Sequence, residues 1–149
     1  MDTYLNLAKQ AIETHIKTGK IISPPKDLSQ EMLTRRAGVF VSLHLKNGSL
    51  RGCIGTFVPT KKNIALEIIA NAVSSATQDP RFPPVTEEEL EKLIYSVDIL
   101  SASKTISKDK LSDPKKYGLI VLAKTAEGDY FSLTFPVSTL LKNKLKSAE

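Results

Sequence analysis

The chain has 149 residues, of which 41% are hydrophobic and 25% charged, and a net charge of +5. That length suits one domain, residues 1–149, with a sizeable core. No apolar run approaches the roughly 20 residues needed to cross a bilayer, and Met1-Asp2-Thr3-Tyr4 lacks the layout of a secretory signal. One cysteine cannot close an internal disulfide, and two histidines beside it make a poor zinc set. No metal, cofactor or membrane is expected, and the setting expected is reducing and cytoplasmic.

The excess charge is uneven. Residues 1–100 carry 12 basic and 11 acidic side chains, whereas residues 101–149 carry 9 and 5, concentrated at Lys104–Lys116 and Lys142–Lys146. Such lysines attract phosphate backbones. With few aromatics and no arginine cluster, a solvated lysine surface is the better reading, and nucleic-acid binding ranks third among the functions considered.

In chain order, Leu5, Ala8, Ile12 and Ile16 recur at helical spacing and predict a helix over residues 3–18 that stops at Gly19. Residues 23–30, with Pro24-Pro25, read as a loop, and Glu31–Arg36 as a helical turn. Val39–Leu45 alternates like a strand, and Asn47-Gly48 predicts a two-residue type I′ turn. The register that follows sets Leu45 opposite Leu50, His44 opposite Arg51, Leu43 opposite Gly52, Ser42 opposite Cys53 and Val41 opposite Ile54. One face would then be apolar (Val41, Leu43, Leu45, Leu50, Ile54), and the other would gather Ser42, His44, Arg51 and Cys53.

Lys62–Thr77 is the strongest helix pattern, with Leu66, Ile69, Val73 and Ala76 along one stripe. It ends in the proline-stiffened loop Gln78–Pro84. Thr86 and Glu89 match a capping box that opens a short helix through Leu93. Strands are expected at Ile94–Leu100, Gly118–Ala123 and Tyr130–Phe135, and a basic helix at Ser138–Lys146. The order α-β-β-α-α-β-β-β-α indicates α+β, with a mostly antiparallel sheet flanked by helices.

Chemistry concentrates in Leu50-Arg51-Gly52-Cys53-Ile54-Gly55. A thiol beside a fixed cation is an environment that can activate sulfur, and His44, diagonal to it, is a candidate base. Cysteine–histidine catalysis normally needs a third, orienting group, and Asp98 can supply it only if its strand lies alongside. The competing reading is a cysteine that merely packs. Gly52 and Gly55 allow close backbone approach or serve a bulge; no phosphate loop of the GxxxxGK[ST] kind is present. Asp79 and Arg81 are expected to pair with each other or to cap Lys62–Thr77, tying the loop down, or Arg81 binds an anion through its fork of donors. Glu87-Glu88-Glu89 complements a helix dipole and is not a metal site.

These residues resemble the AMMECR domain family. The hexapeptide Leu50–Gly55 is that family's signature, supported by Phe40-Val41, Asp79-Pro80-Arg81-Phe82-Pro83-Pro84, Glu89-Leu90, Val97-Asp98-Ile99-Leu100-Ser101 and Tyr117-Gly118-Leu119-Ile120. The likeness runs in order through about residues 1–123. It implies a cytoplasmic α+β domain with a smaller subdomain, and no settled reaction. Relatives occur alone, or are fused to or encoded beside a Memo-like protein and a radical S-adenosylmethionine enzyme, which are the protein partners the resemblance implies. After about Glu127 the family pattern of a leucine-rich strand, a tryptophan-containing helix and a Lys-Ala-Gly-Leu segment is not followed; Phe131–Phe135 with Pro136-Val137 is an echo of it. Residue 44 is not part of the family motif.

The sequence thus yields two competing functions. In one, the chain is an interaction or accessory module whose Ser42, Gly52, Gly55, Asp79 and Arg81 bind a small anionic ligand or a partner's acidic group. In the other it is an enzyme in which Cys53 is nucleophile or redox thiol, Arg51 favours the thiolate and His44 moves protons. Whether it is an enzyme stays open at this point.

Overall fold

A computed structural model describes residues 2–101 and the backbone of strands 119–124 and 130–135. The chain divides into two units, Met1–Ser103 and Lys104–Glu149. The first is built in the order α1 (Thr3–Thr18), α2 (Gln30–Thr34), β1 (Val39–Leu45), β2 (Leu50–Thr56), α3 (Ile64–Thr77), a 3-10 helix (Glu87–Lys92) and β3 (Leu93–Ile99). The second contains β4 (Leu119–Lys124) paired antiparallel with β5 (Tyr130–Phe135). The expected basic helix at Ser138–Lys146 and the lysines of Lys104–Lys116 lie outside the described residues.

Local chemistry sets the helix ends. Asp2 accepts the Tyr4 N–H to open α1, and Gly19 closes it with φ 71, a left-handed conformation that glycine adopts without strain. Asn63 caps α3 by accepting the Leu66 N–H, so α3 starts two residues later than its apolar stripe alone predicts. Glu89 accepts the Thr86 N–H, its half of the capping box, although the segment it opens winds as a 3-10 helix.

The sheet of the first unit is antiparallel in the order β2-β1-β3, making the unit α+β. Val39, Val41 and Leu43 are fully buried on one face, in a core with Ala8, Ala11 and Ile12 of α1 and Ile64, Ile68 and Ala72 of α3. The opposite face of β1 carries Phe40, Ser42 and His44, all partly exposed.

The hairpin departs from its expected register in two compensating ways. Gly48 donates its N–H to the Leu45 carbonyl and Leu45 donates to Ser49, so the loop has three residues, Lys46–Gly48. Only Gly48 has a positive φ, 83; Asn47 does not, and its side chain instead accepts from the Ser49 N–H and hydroxyl. The type I′ turn is therefore replaced by a longer loop, because the Asn47 side chain has a local backbone partner. A bulge between Leu43 and His44 then restores the register. Leu43 faces Gly52, Ser42 faces Cys53 and Val41 faces Ile54, as the alternation predicts, but His44 faces Leu50 and Arg51 has no cross-strand partner.

Candidate functional site

The bulge decides the chemistry of the hexapeptide. An extra residue in one strand re-aims its side chain, and Arg51 turns inward until it is 8% exposed. There its Nε and Nη2 donate to the two Glu89 carboxylate oxygens at 2.7 and 2.9 Å. Nη1 donates to the Pro83 carbonyl at 3.0 Å and Nη2 to that of Pro84 at 3.4 Å. The Phe82 ring lies 6.0 Å from the guanidinium carbon, within cation–π range. Arg51 holds the Glu89 carboxyl below its ordinary range, against the opposing effect of burial. The expectation that Arg51 stands across from His44, beside the thiol, is thus corrected: its fork is occupied by Glu89 and the proline loop.

Both motif glycines are required by packing, on opposite faces. A Cβ on Gly52 would lie 2.2 Å from the Ser75 carbonyl of α3, and one on Gly55 would lie 2.3 Å from Cγ of Phe40, whose ring lies across it. No alanine fits either position without movement of the neighbour.

Cys53 is partly exposed, on the face away from α3. Its N–H donates to the Asp79 carboxylate at 2.8 Å, and its carbonyl accepts from Arg81 Nη2 at 3.4 Å. Its backbone groups therefore point away from β1, and Ser42 and Cys53 form a non-hydrogen-bonded pair, in which side chains lie closest. The Ser42 hydroxyl lies 3.1 Å from the Cys53 sulfur. Since β2 is an edge strand, Asp79 and Arg81 stand where a neighbouring strand would pair, and so cover that edge.

Asp79 is 4% exposed and accepts from Arg81 Nε, Nη2 and N–H as well as from Cys53. The Arg81 side chain, reinforced by the Cys53 N–H, holds this carboxyl well below the usual carboxylate range despite its burial. Arg81 is itself 55% exposed at the side chain. The structure therefore brings Cys53, Ser42, Asp79 and Arg81 together, with Gly52 and Gly55 as spacers beneath and beside them. His44 sits one level along the sheet, opposite Leu50 and Ile94, and no side-chain hydrogen bond joins it to Cys53 or Arg51 among the described residues. Asp98 does lie on the strand beside β1, but opposite Phe40, four residues from the His44 position and so roughly 13 Å away along the strand. It does not orient His44.

Glu89, expected to cap the short helix and complement its dipole, is also the counter-ion of Arg51, which the sequence does not signal, and the buried Glu67 is a second unexpected acidic residue. Glu67 sits in the apolar stripe between Ile64 and Ile68, and an acidic residue in such a position was the available signal. No group of three or more His, Cys, Asp or Glu able to hold a metal occurs among the described residues, and no helix there is long and apolar enough to cross a membrane.

Known proteins resemble the chain over most of its length. The model of the AMMECR1 family matches residues 5–136, beyond the Glu127 at which the likeness was expected to fade. A Thermotoga maritima protein is 51% identical over 119 residues, covering 80% of this chain and 68% of that protein. A Clostridium acetobutylicum protein is 45% identical over 121 residues, covering 80% of this chain and 25% of its own length. A Pyrococcus abyssi protein is 41% identical over 141 residues, covering 89% and 66%. The chain therefore spans between a quarter and about two thirds of these relatives. The crystal structure of an uncharacterized Pyrococcus horikoshii protein superposes with a TM-score of 0.78 at 35% identity, covering 95% of this chain and 70% of that one.

Proposed function

This chain belongs to the AMMECR1 family, and from that premise we propose that it is an interaction module whose signature hexapeptide builds a rigid recognition surface. The observation that carries this reading is the inward turn of Arg51. Four of the five N–H donors on its guanidinium are engaged, by Glu89 and by the Pro83 and Pro84 carbonyls, so that it fixes the 79–84 loop and does not meet a ligand. The surface this rigidity supports consists of Ser42 and Cys53 on the sheet face and Arg81 at its edge. Arg81 is held by Asp79 through Nε and Nη2, its side chain is 55% exposed, and Nη1 has no hydrogen bond among the described residues, which suits it as a preset donor for an acidic group of a partner or for a small anion. The single free cysteine fits a reducing, cytoplasmic setting.

The partners that fit this reading are the Memo-like and radical S-adenosylmethionine proteins that accompany the family. Titration of the purified Memo-like protein of the same organism tests it. Arg81→Ala is expected to weaken binding about tenfold or more, as loss of one charge-assisted contact does, and Cys53→Ser to leave it unchanged. Unchanged binding by Arg81→Ala would refute the surface assignment.

A thiol reading has one observation of its own, the Ser42 hydroxyl against the Cys53 sulfur on a partly exposed face. It requires that Cys53→Ser abolish function where the fold and partner binding survive.

A further inference from the structure

Between β2 and α3 lies a loop that the hexapeptide does not explain. Glu67 of α3 is 1% exposed, and beneath that loop it accepts from the Thr56 hydroxyl at 2.7 Å, the Thr60 N–H and hydroxyl at 2.9 Å each, and the Lys61 N–H at 2.7 Å. Burial opposes its ionisation, but these hydrogen bonds outweigh burial and hold its carboxyl below the ordinary range, so it is charged. From the other side Arg36 donates Nε to the Lys61 carbonyl at 3.2 Å and Nη2 to that of Pro59 at 3.0 Å. The loop is clamped from both sides.

Its outward side chains are differently placed. Arg36, Thr60, Lys61 and Lys62 line an open cleft of about 300 Å³. Among the described residues none of these three cations makes an ion pair; the pairs there are Lys9 with Glu13, Arg35 with Glu31, Arg51 with Glu89 and Arg81 with Asp79. Three cationic residues thus line one concavity, and the one carboxylate beneath the loop, Glu67, is already engaged by four donors. A preset loop and a net positive cleft favour a compact, multiply charged anion, because the ordering is done before binding and the charge is otherwise unbalanced.

We propose that this cleft is an anion site for the phosphate or pyrophosphate group of a small phosphorylated compound, held by Arg36, Lys61 and Lys62. It is separate from the surface around Arg81 and does not depend on that assignment. The lysine side chains hold none of the loop's hydrogen bonds; only the Lys61 backbone does. Their truncation therefore leaves the fold intact.

Calorimetric titration of the full chain with sodium pyrophosphate, with inorganic phosphate alongside, tests the proposal. Pyrophosphate is expected to bind one to one and more tightly than phosphate, and to weaken as salt is raised from 50 to 300 mM through screening. The paired variant Lys61→Ala/Lys62→Ala is expected to bind at least about tenfold more weakly with an unchanged melting temperature. The paired control Lys144→Ala/Lys146→Ala is expected to bind as the unaltered chain does. Absence of binding at millimolar pyrophosphate, undiminished binding by Lys61→Ala/Lys62→Ala, or loss of binding in the Lys144/Lys146 control would each overturn it.

Discussion

Arg51 and Glu89, on β2 and on the 3-10 helix, meet in a two-pronged ion pair with Nε–Oε1 at 2.7 Å and Nη2–Oε2 at 2.9 Å. The pair joins the Leu50–Gly55 hexapeptide to the segment after the proline loop, and the same carboxylate caps that segment through the Thr86 N–H. Removing one partner of a largely buried pair leaves the other charge without compensation. Glu89→Gln is expected to lower the unfolding free energy by about 2 kcal/mol, less than for a fully buried pair because Glu89 keeps some solvent contact. Urea unfolding measures it, and a loss under about 0.5 kcal/mol would show that the pair is a surface contact in energetic effect.

Gly52→Ala places a methyl group 2.2 Å from the Ser75 carbonyl, a backbone atom that cannot rotate away. Separation of β2 from α3 is expected to cost about 2–3 kcal/mol by overpacking. Gly48→Ala meets no neighbour but keeps a φ of 83, so its cost is strain alone, about 1 kcal/mol. Thermal melts of the two variants are expected to rank in that order; the reverse ranking would remove the close β2–α3 approach as a constraint.

Acid sensitivity follows from three carboxylates, Asp79, Glu89 and Glu67, each held below its ordinary value in the folded chain. A group depressed on folding contributes stability that is present above its unfolded value, near pH 4, and is lost as pH falls through its folded value. Stability is therefore expected to be flat from pH 7 to 5 and to fall below that. Asp79→Asn is expected to lose about 1–2 kcal/mol at pH 7, a figure reduced for the solvent exposure of Arg81, and less at pH 3. An equal loss at both pH values, by urea unfolding, would contradict the role given to its charge.

Glu67→Gln exchanges a carboxylate that accepts from four donors for an amide that brings N–H groups toward the Thr60 and Lys61 donors. The expected loss is about 2 kcal/mol, with faster amide exchange of Thr60 and Lys61 than of the α1 backbone. Unchanged exchange at those two amides would show that the loop is held by Arg36 alone.

Much of this architecture is legible in the sequence because it is written in local patterns. Helical spacing and Gly19 delimit α1, alternation marks β1, and Thr86 with Glu89 announces the cap. Pairing from Leu43–Gly52 onward follows from which face is apolar. What escaped the sequence is non-local. A longer loop and a bulge each shift the hairpin by one residue in opposite senses, so the apolar pattern beyond them is unchanged and gives no sign of either. That pair of irregularities moves Arg51 away from His44 and toward Glu89, a partner 38 residues later in the chain. The association of Cys53 with Asp79 and Arg81 likewise depends on where the proline loop returns to the edge of β2, which residue spacing alone does not encode.

Arg51 acts on the loop and not on the thiol, and Arg51→Gln separates the two roles. With the unaltered chain and the variant both folded, unfolding free energy and the rate of Cys53 alkylation by iodoacetamide are measured from pH 7 to 9. The expected result is a stability loss of about 2–3 kcal/mol, from the broken pair with Glu89, and an alkylation rate within about twofold at every pH, since no Arg51 donor contacts the sulfur. A tenfold or greater fall in alkylation rate at unchanged stability would contradict it and return Arg51 to the thiol.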